Sequence, residues 1–272
     1  MTTRNIVITG GTRGIGLGMA TSFLERGHNV CITGRSRGSV DNALQILRAG
    51  DGGDRVHGVP CDAGDFEQVR QVWDEAAGKF GTVDIWINNA GVANEISNFE
   101  QLENTAYQGV VDTNLVGLMH GCKVALLGMG AQGYGQIYNF EGFGSDGRTS
   151  PGLSVYGATK RAVTYFTEVL IKENAEKPVN VGFLSPGIVI TDMILQEAGE
   201  MSAERWQRAK RMYNILADRV DTVAPWLAEH TLADFGKHGS RIAWLTPRKA
   251  AARFFGAFVL RRKRDLFAGM PV

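Results

Sequence analysis

Two periodicities alternate along the chain. Short runs rich in apolar and β-branched residues, at 5–9, 29–33, 55–60, 83–87, 135–140 and 179–184, each stop at glycine, proline or small polar residues, as buried strands do. Between them the apolar positions fall at three- and four-residue spacing, over 17–26, 65–79, 103–129 and about 154–177, with a polar, glycine-rich helix and loop over 39–54. Asp65 stands where the second of these helices needs an N-cap. Strands and helices alternating at βαβ spacing through residues 4–185 predict an α/β fold. The expected architecture is a Rossmann-type doubly wound parallel sheet of about seven strands, helices on both faces and a site at the strands' carboxyl ends. Beyond it, polar amphipathic helices are expected over 197–213 and 215–232, a last strand over 241–245 and a helix over 248–260. Residues 1–272 read as a single domain, since no repeat or low-complexity linker interrupts them.

Charge narrows the function. Twenty-nine basic residues oppose 28 acidic ones, so no global field recruits nucleic acid or a membrane, and small-molecule chemistry is the expectation. No apolar run approaches the ~20 residues of a membrane span. Cys31, Cys61 and Cys122 have no Cys or His neighbour at metal spacing and read as reduced core residues, which suits a cytoplasmic protein with no metal site. Met1-Thr2-Thr3-Arg4 runs directly into a strand pattern, leaving no room for a signal or transit peptide. Arg261 to Arg264 form a basic cluster suited to an anionic lipid, a substrate carboxylate or plain solvation at a helix end.

The chemistry gathers at the strand ends. Thr9-Gly10-Gly11-Thr12-Arg13-Gly14-Ile15-Gly16 lies between the first strand and first helix; Gly10, Gly14 and Gly16 allow a tight bend and bring a pyrophosphate against free N–H groups. The second strand ends in Gly34-Arg35-Ser36, where a carboxylate would hold the ribose hydroxyls of NAD. Arg35, with Arg13, instead suits the 2′-phosphate of NADP(H), so NADP(H) is favoured over NAD(H); otherwise both arginines are solvated loop charges. Asp62, beside Ala63, is placed to meet an adenine amino group or to cap its own turn. Asn88-Asn89-Ala90-Gly91 offers small residues for a ribose to pass and amides to pin the loops. Asn114, an amide inside an apolar helical stretch, must be hydrogen-bonded and is expected to bend that helix. Ser185-Pro186-Gly187-Ile188 forms a rigid turn suited to flank a nicotinamide, with Thr191 available for its amide or phosphate. Tyr156 and Lys160, four residues apart, share one helix face; a cation beside a phenol favours the phenolate and lets it exchange a proton with a carbonyl or alcohol oxygen.

Taken together, the glycine loop, Asn88-Asn89-Ala90-Gly91, Asn114, Tyr156-Gly-Ala-Thr-Lys160 and Ser185-Pro186-Gly187 resemble the short-chain dehydrogenase/reductase family in kind and order. The resemblance implies hydride transfer from a nicotinamide cofactor, with Tyr156 as acid/base, Lys160 binding the ribose and lowering the tyrosine pKa, Asn114 in the proton relay, and a homodimer or homotetramer paired through helices 101–129 and 154–177. The family's serine, about thirteen positions before the tyrosine, is replaced by Phe143. Ser145 and Glu141 are the polar candidates for its role. Asn139-Phe-Glu-Gly-Phe-Gly-Ser145 and the stretch through Lys160 resemble chlorophyll(ide) b reductases of plants and algae, and the similarity continues into the arginine-rich tail. It implies NADPH-dependent reduction of the 7-formyl group of a porphyrin-like pigment. Glu141, Phe143, Met193 and Trp206 would stand near that substrate under a lid of residues 192–235. The alternatives are a related reductase of a 3-oxoacyl, sugar or steroid-like carbonyl, or an NADP(H)-binding regulator without turnover.

Overall fold

The computed structural model describes residues 2–270, so the ends of the expected 1–272 domain, Met1, Pro271 and Val272, lie outside the described residues. Seven strands, β1 (Asn5–Ile8), β2 (Asn29–Gly34), β3 (Val56–Pro60), β4 (Ile85–Asn88), β5 (Gly135–Phe140), β6 (Val179–Ser185) and β9 (Arg241–Ala243), form one sheet in the order β3-β2-β1-β4-β5-β6-β9. Every neighbouring pair is parallel, with Ile6 of β1 opposite Val30 on one side and Ile85 on the other. The order reverses between β1 and β4, which opens a crevice at their carboxyl ends.

Side-chain alternation sorts the core into two layers. Ile6, Ile8, Ile32, Ile87 and Leu184 point to one face, covered by α1 (Gly14–Glu25) and α2 (Arg37–Leu47). Val7, Cys31, Trp86, Ile137 and Val181 point to the other, covered by α3 (Phe66–Phe80), α5 (Gly117–Gln132) and α6 (Ser154–Glu173). Burial on both faces is why these strands read as near-continuous apolar runs. All three cysteines are free and buried, and burial pushes the Cys61 and Cys122 thiols up to about 12 and Cys31 higher still, which leaves them unreactive.

The expected helix over 103–129 is α4 (Asn104–Val111) joined to α5 by a π-helical turn at Asp112–Val116 that holds Asn114. Read as one element, Asn104–Gln132 is apolar and long enough to cross a membrane by length and composition. This amends the expectation that no segment approaches that length. The helix nevertheless packs on α3, α6 and the sheet, as a core helix does.

The tail departs most from expectation. The helix expected over 197–213 is two, α7 (Asp192–Glu200) and α8 (Ala203–Leu216), because Ser202 caps a new start by accepting from Arg205 N. A short strand, β8 (Asp218–Arg219), pairs with β7 (Val189–Ile190), so the next helix, α9 (Val220–Ala233), begins five residues later than expected. Val223, Ala224, Leu227 and Ala228 of α9 are buried in the β1-side core. The expected 192–235 segment is therefore not set apart as a whole; a small core of its own joins Ile190, Ala198, Trp206 and Ala217 to Phe267. Helix α10 (Pro247–Phe258) follows β9, opened by Thr246, whose hydroxyl accepts from Lys249 N.

Candidate active site

The glycine loop is fastened from below. Thr9 Oγ1 accepts from the backbone N–H groups of Asn89 and Ala90 at 3.1 and 3.0 Å, and Asn89 Nδ2 donates to the carbonyls of Thr9 and Gly10 at 2.9 Å each. Gly10 has φ +65°, and a β-carbon there would stand 2.8 Å from Ala90 Cα; only glycine meets both demands. Gly16 is equally closed, since a β-carbon would lie 2.5 Å from Gly10 O. Gly14, with φ +55°, instead faces Thr191, whose Cγ2 would lie 3.5 Å from a β-carbon there, so the start of α1 and the start of α7 oppose each other.

Beside them a cleft of about 840 Å³ is lined by Arg13, Arg35, Asp62, Asn94, Thr113 and Met193. The two arginines of the sequence reading and Asp62 thus line one space. Within it, Asp62 Oδ1 accepts from Gly64 N and shapes the turn that carries Ala63, while Ser36 caps α2 through Ser39 N. Pro186 is buried and Gly187 takes φ +70° against Leu245, which turns Ile188 toward the lid core. The glycine cradle, the paired arginines and the open helix N-terminus fit a dinucleotide.

Asn94 was not singled out from sequence. It is 6% exposed and lines the cleft, yet its Oδ1 has no hydrogen-bond partner among the described residues. A third asparagine after Asn88 and Asn89 was the available signal.

Helix α6 presents Tyr156 and Lys160. The Lys160 side chain is buried, its Nζ donates to Phe140 O at 3.3 Å and lies 5.9 Å from the Tyr156 ring centre. Burial lowers its pKa to about 8, against the raising effect of nearby Glu141. Asn114 is wholly buried: Oδ1 accepts from Val92 N at 2.8 Å, and Nδ2 donates to Val92 O at 2.9 Å and to Thr159 Oγ1 at 3.3 Å. Thr159 in turn donates to Tyr156 O at 2.7 Å. A β-carbon on Gly91 would sit 3.5 Å from Asn114 Oδ1 and 3.8 Å from Lys160 Nζ, so the glycine keeps these groups within reach of one small space.

Four residues expected beside the substrate are placed elsewhere. The position facing the Tyr156 hydroxyl is Gly142, not Phe143: a β-carbon on Gly142 would stand 2.6 Å from it, while Phe143 is 37% exposed. Ser145 is buried, its hydroxyl donating to Lys160 O at 3.2 Å and accepting from Gly142 N at 3.1 Å. It braces the loop against α6 and is thereby engaged within the chain. Glu141 turns the other way, to Thr164 Oγ1 at 3.5 Å and Arg241 at 3.4 Å, and burial raises its pKa. Trp206 packs edge-on against Phe267 at 5.1 Å inside the lid core rather than over the cleft. Met193 does line the cleft.

The arrangement is a phenol beside a buried amine, tied through Thr159 and Asn114 to Val92 on the cleft wall, suited to moving a proton onto an oxygen next to a bound dinucleotide. The model of the short chain dehydrogenase family matches residues 4–201. The chlorophyll(ide) b reductase NOL, chloroplastic, of Oryza sativa subsp. japonica is 38% identical over 271 residues, covering 97% of this chain and 77% of that protein. Among solved structures, a tyrosine-to-phenylalanine variant of ElxO with NADPH bound superposes with TM-score 0.75 at 26% identity, covering 89% of this chain and 97% of that one. The 3-ketoacyl-(acyl-carrier-protein) reductase from Brucella melitensis complexed with NADH gives TM-score 0.74 at 25% identity, covering 90% and 98%.

Proposed function

Because this chain belongs to the short-chain dehydrogenase family of nicotinamide-dependent oxidoreductases, we propose that it is an NADPH-dependent reductase of a formyl group on a large apolar ring, the 7-formyl group of chlorophyll b or chlorophyllide b. One observation carries the substrate reading. The family model ends at residue 201, whereas the likeness to the rice reductase spans 97% of the chain, through the lid, Arg241 and α10.

The cofactor, when bound, supplies the hydride that reaches the carbonyl carbon. The chain's own residues do the rest. The glycine loop and the start of α1 offer N–H groups to the pyrophosphate, and Arg13 and Arg35 hold the 2′-phosphate. Lys160 meets the ribose and keeps positive charge beside Tyr156, which gives its proton to the carbonyl oxygen and returns the substrate as a hydroxymethyl group. Asn114 fixes Val92 and, through Thr159, the first turn of α6, so the proton donor keeps its place. Helices α5 and α6 expose Leu127 and Tyr165, a surface through which two copies pair.

Purified protein incubated with NADPH and chlorophyll b is expected to yield the 7-hydroxymethyl pigment by chromatography. No product, with turnover of a 3-oxoacyl substrate instead, would transfer the assignment to the activity named for the Brucella neighbour.

A further inference from the structure

Helix α10 carries an outward stripe that the active site does not use. Ala251, Ala252, Phe255, Phe258 and Val259 recur at helical spacing on one exposed face, continued by Leu260. Phe255 is 56% exposed, Phe258 71%, Val259 61% and Leu260 51%. Contiguous apolar exposure of this kind marks an interaction surface.

The charge around it is one-sided. Between Arg248 and Arg264 stand seven cations and no acid, while the other 22 basic residues of the chain face 28 acidic ones. Two of the seven are committed to the fold. Arg253 and Arg264 each reach Asp218 at 2.6 Å, Arg253 also donating to Leu216 O and Arg264 to Ala217 O. These bonds fix α10 to the end of α8 and hold the stripe outward. A third, Lys249, lies 2.9 Å over the Trp244 ring. Arg248, Arg261, Arg262 and Lys263 remain exposed. Past the helix the chain folds back, Arg262 N donating to Gly256 O at 3.0 Å, which returns Arg262 to the last turns of α10.

We propose that α10 and residues 259–263 form a docking surface for an anionic lipid bilayer, with the phenylalanines in the acyl boundary and the cations among the headgroups. A helix with aromatic residues on one face and a cationic rim lies in the interface plane in this way. A second copy is the poorer occupant, since a two-fold contact lays a patch on itself and would set these cations against their equivalents with no acid between them. The surface is independent of the pigment, so its test needs none.

The full-length protein is mixed with vesicles of phosphatidylcholine alone or with one third phosphatidylglycerol and sedimented. It is expected to bind the anionic vesicles only, and 0.5 M NaCl is expected to release most of it. F255S/F258S should abolish binding, and R261A/R262A/K263A should weaken it roughly a hundredfold, at about tenfold or less per cation. Both variants should keep NADPH affinity and melting temperature, because the altered side chains are exposed. Absence of wild-type binding, or binding untouched by both variants, overturns the proposal. So does a wild-type dimer that light scattering shows to become a monomer in F255S/F258S without any lipid binding.

Discussion

Gly142 and the Tyr156 hydroxyl share one space: a β-carbon on the glycine would approach the phenol oxygen to 2.6 Å and Lys160 Cε to 3.1 Å. The loop after β5 therefore gives the phenol a bare backbone to rest on. Ser145, three residues on, ties that backbone to α6 through Gly142 N and Lys160 O.

Substituting Gly142 should displace the phenol without emptying the cofactor cleft. G142A is expected to lower kcat about tenfold to a hundredfold, the scale of a 1 Å misplacement, with NADPH affinity within twofold. Steady-state kinetics on G142A and G142S checks this. Wild-type or higher turnover in either variant would show that the position tolerates a side chain facing the tyrosine.

Tyr156→Phe removes the proton donor and little else. Turnover should fall by about 10² to 10⁴, the usual contribution of general acid catalysis, while NADPH binding followed by tryptophan fluorescence stays unchanged. Retained turnover would remove Tyr156 from the mechanism.

Arg13 and Arg35 line the same cleft, so their joint loss should discriminate between cofactors. Charge-assisted bonds contribute about 1.5–3 kcal/mol each. R13A/R35A is therefore expected to raise KM for NADPH at least a hundredfold and KM for NADH less than threefold. Equal losses for both cofactors would mean that the arginines do not read the 2′-phosphate.

Lys160 titrates at about 8 in the folded chain against 10.5 for the free side chain, because burial disfavours its ammonium form. Between those values the unfolded chain binds a proton that the folded chain does not, so this group makes stability rise with pH from about 8 to 10.5. Below about 8 the cost of burial is fully present, on the order of 3 kcal/mol. K160M is expected to melt higher than the wild type at pH 7, to lose that gain toward pH 10.5, and to lose turnover. Calorimetry across pH decides, and a K160M protein that melts lower at pH 7 would contradict the sign.

Glu141 acts on Lys160 through charge, raising the pKa that burial lowers. E141Q should therefore move the alkaline fall of kcat/KM to lower pH. R241A should do the same more weakly, since Arg241 favours the Glu141 carboxylate form. pH–rate profiles that superpose for E141Q and wild type would confine Glu141 to packing.

Local physics made much of this legible beforehand. Strands buried on both faces announce themselves as apolar runs, Asp65 accepts from Glu67 N and Gln68 N as its place before a helix implied, and Asn114 is hydrogen-bonded as a buried amide must be, within a π-helical turn. Tyr156 and Lys160 share a face because helix geometry puts them there. The sequence by itself thus determined the α/β layers, the glycine loop after β1 and the placing of Tyr156 and Lys160 on one helix face.

Only the tertiary structure decided which side chains turn toward the cleft. Loops with unusual glycines follow no period, so counting back from Tyr156 reached Phe143 where the chain places Gly142. Ser145 and Glu141 are polar and near in sequence, yet Lys160 O and Arg241, partners that count for nothing in a local pattern, turn them inward. The tail is similar: Trp206 sits in a small core because Phe267, 61 residues away, packs against it. Arg264, read as one of four equivalent cations, is held by Asp218. Such choices rest on long-range partners, and a residue's own neighbours in sequence carry no trace of them.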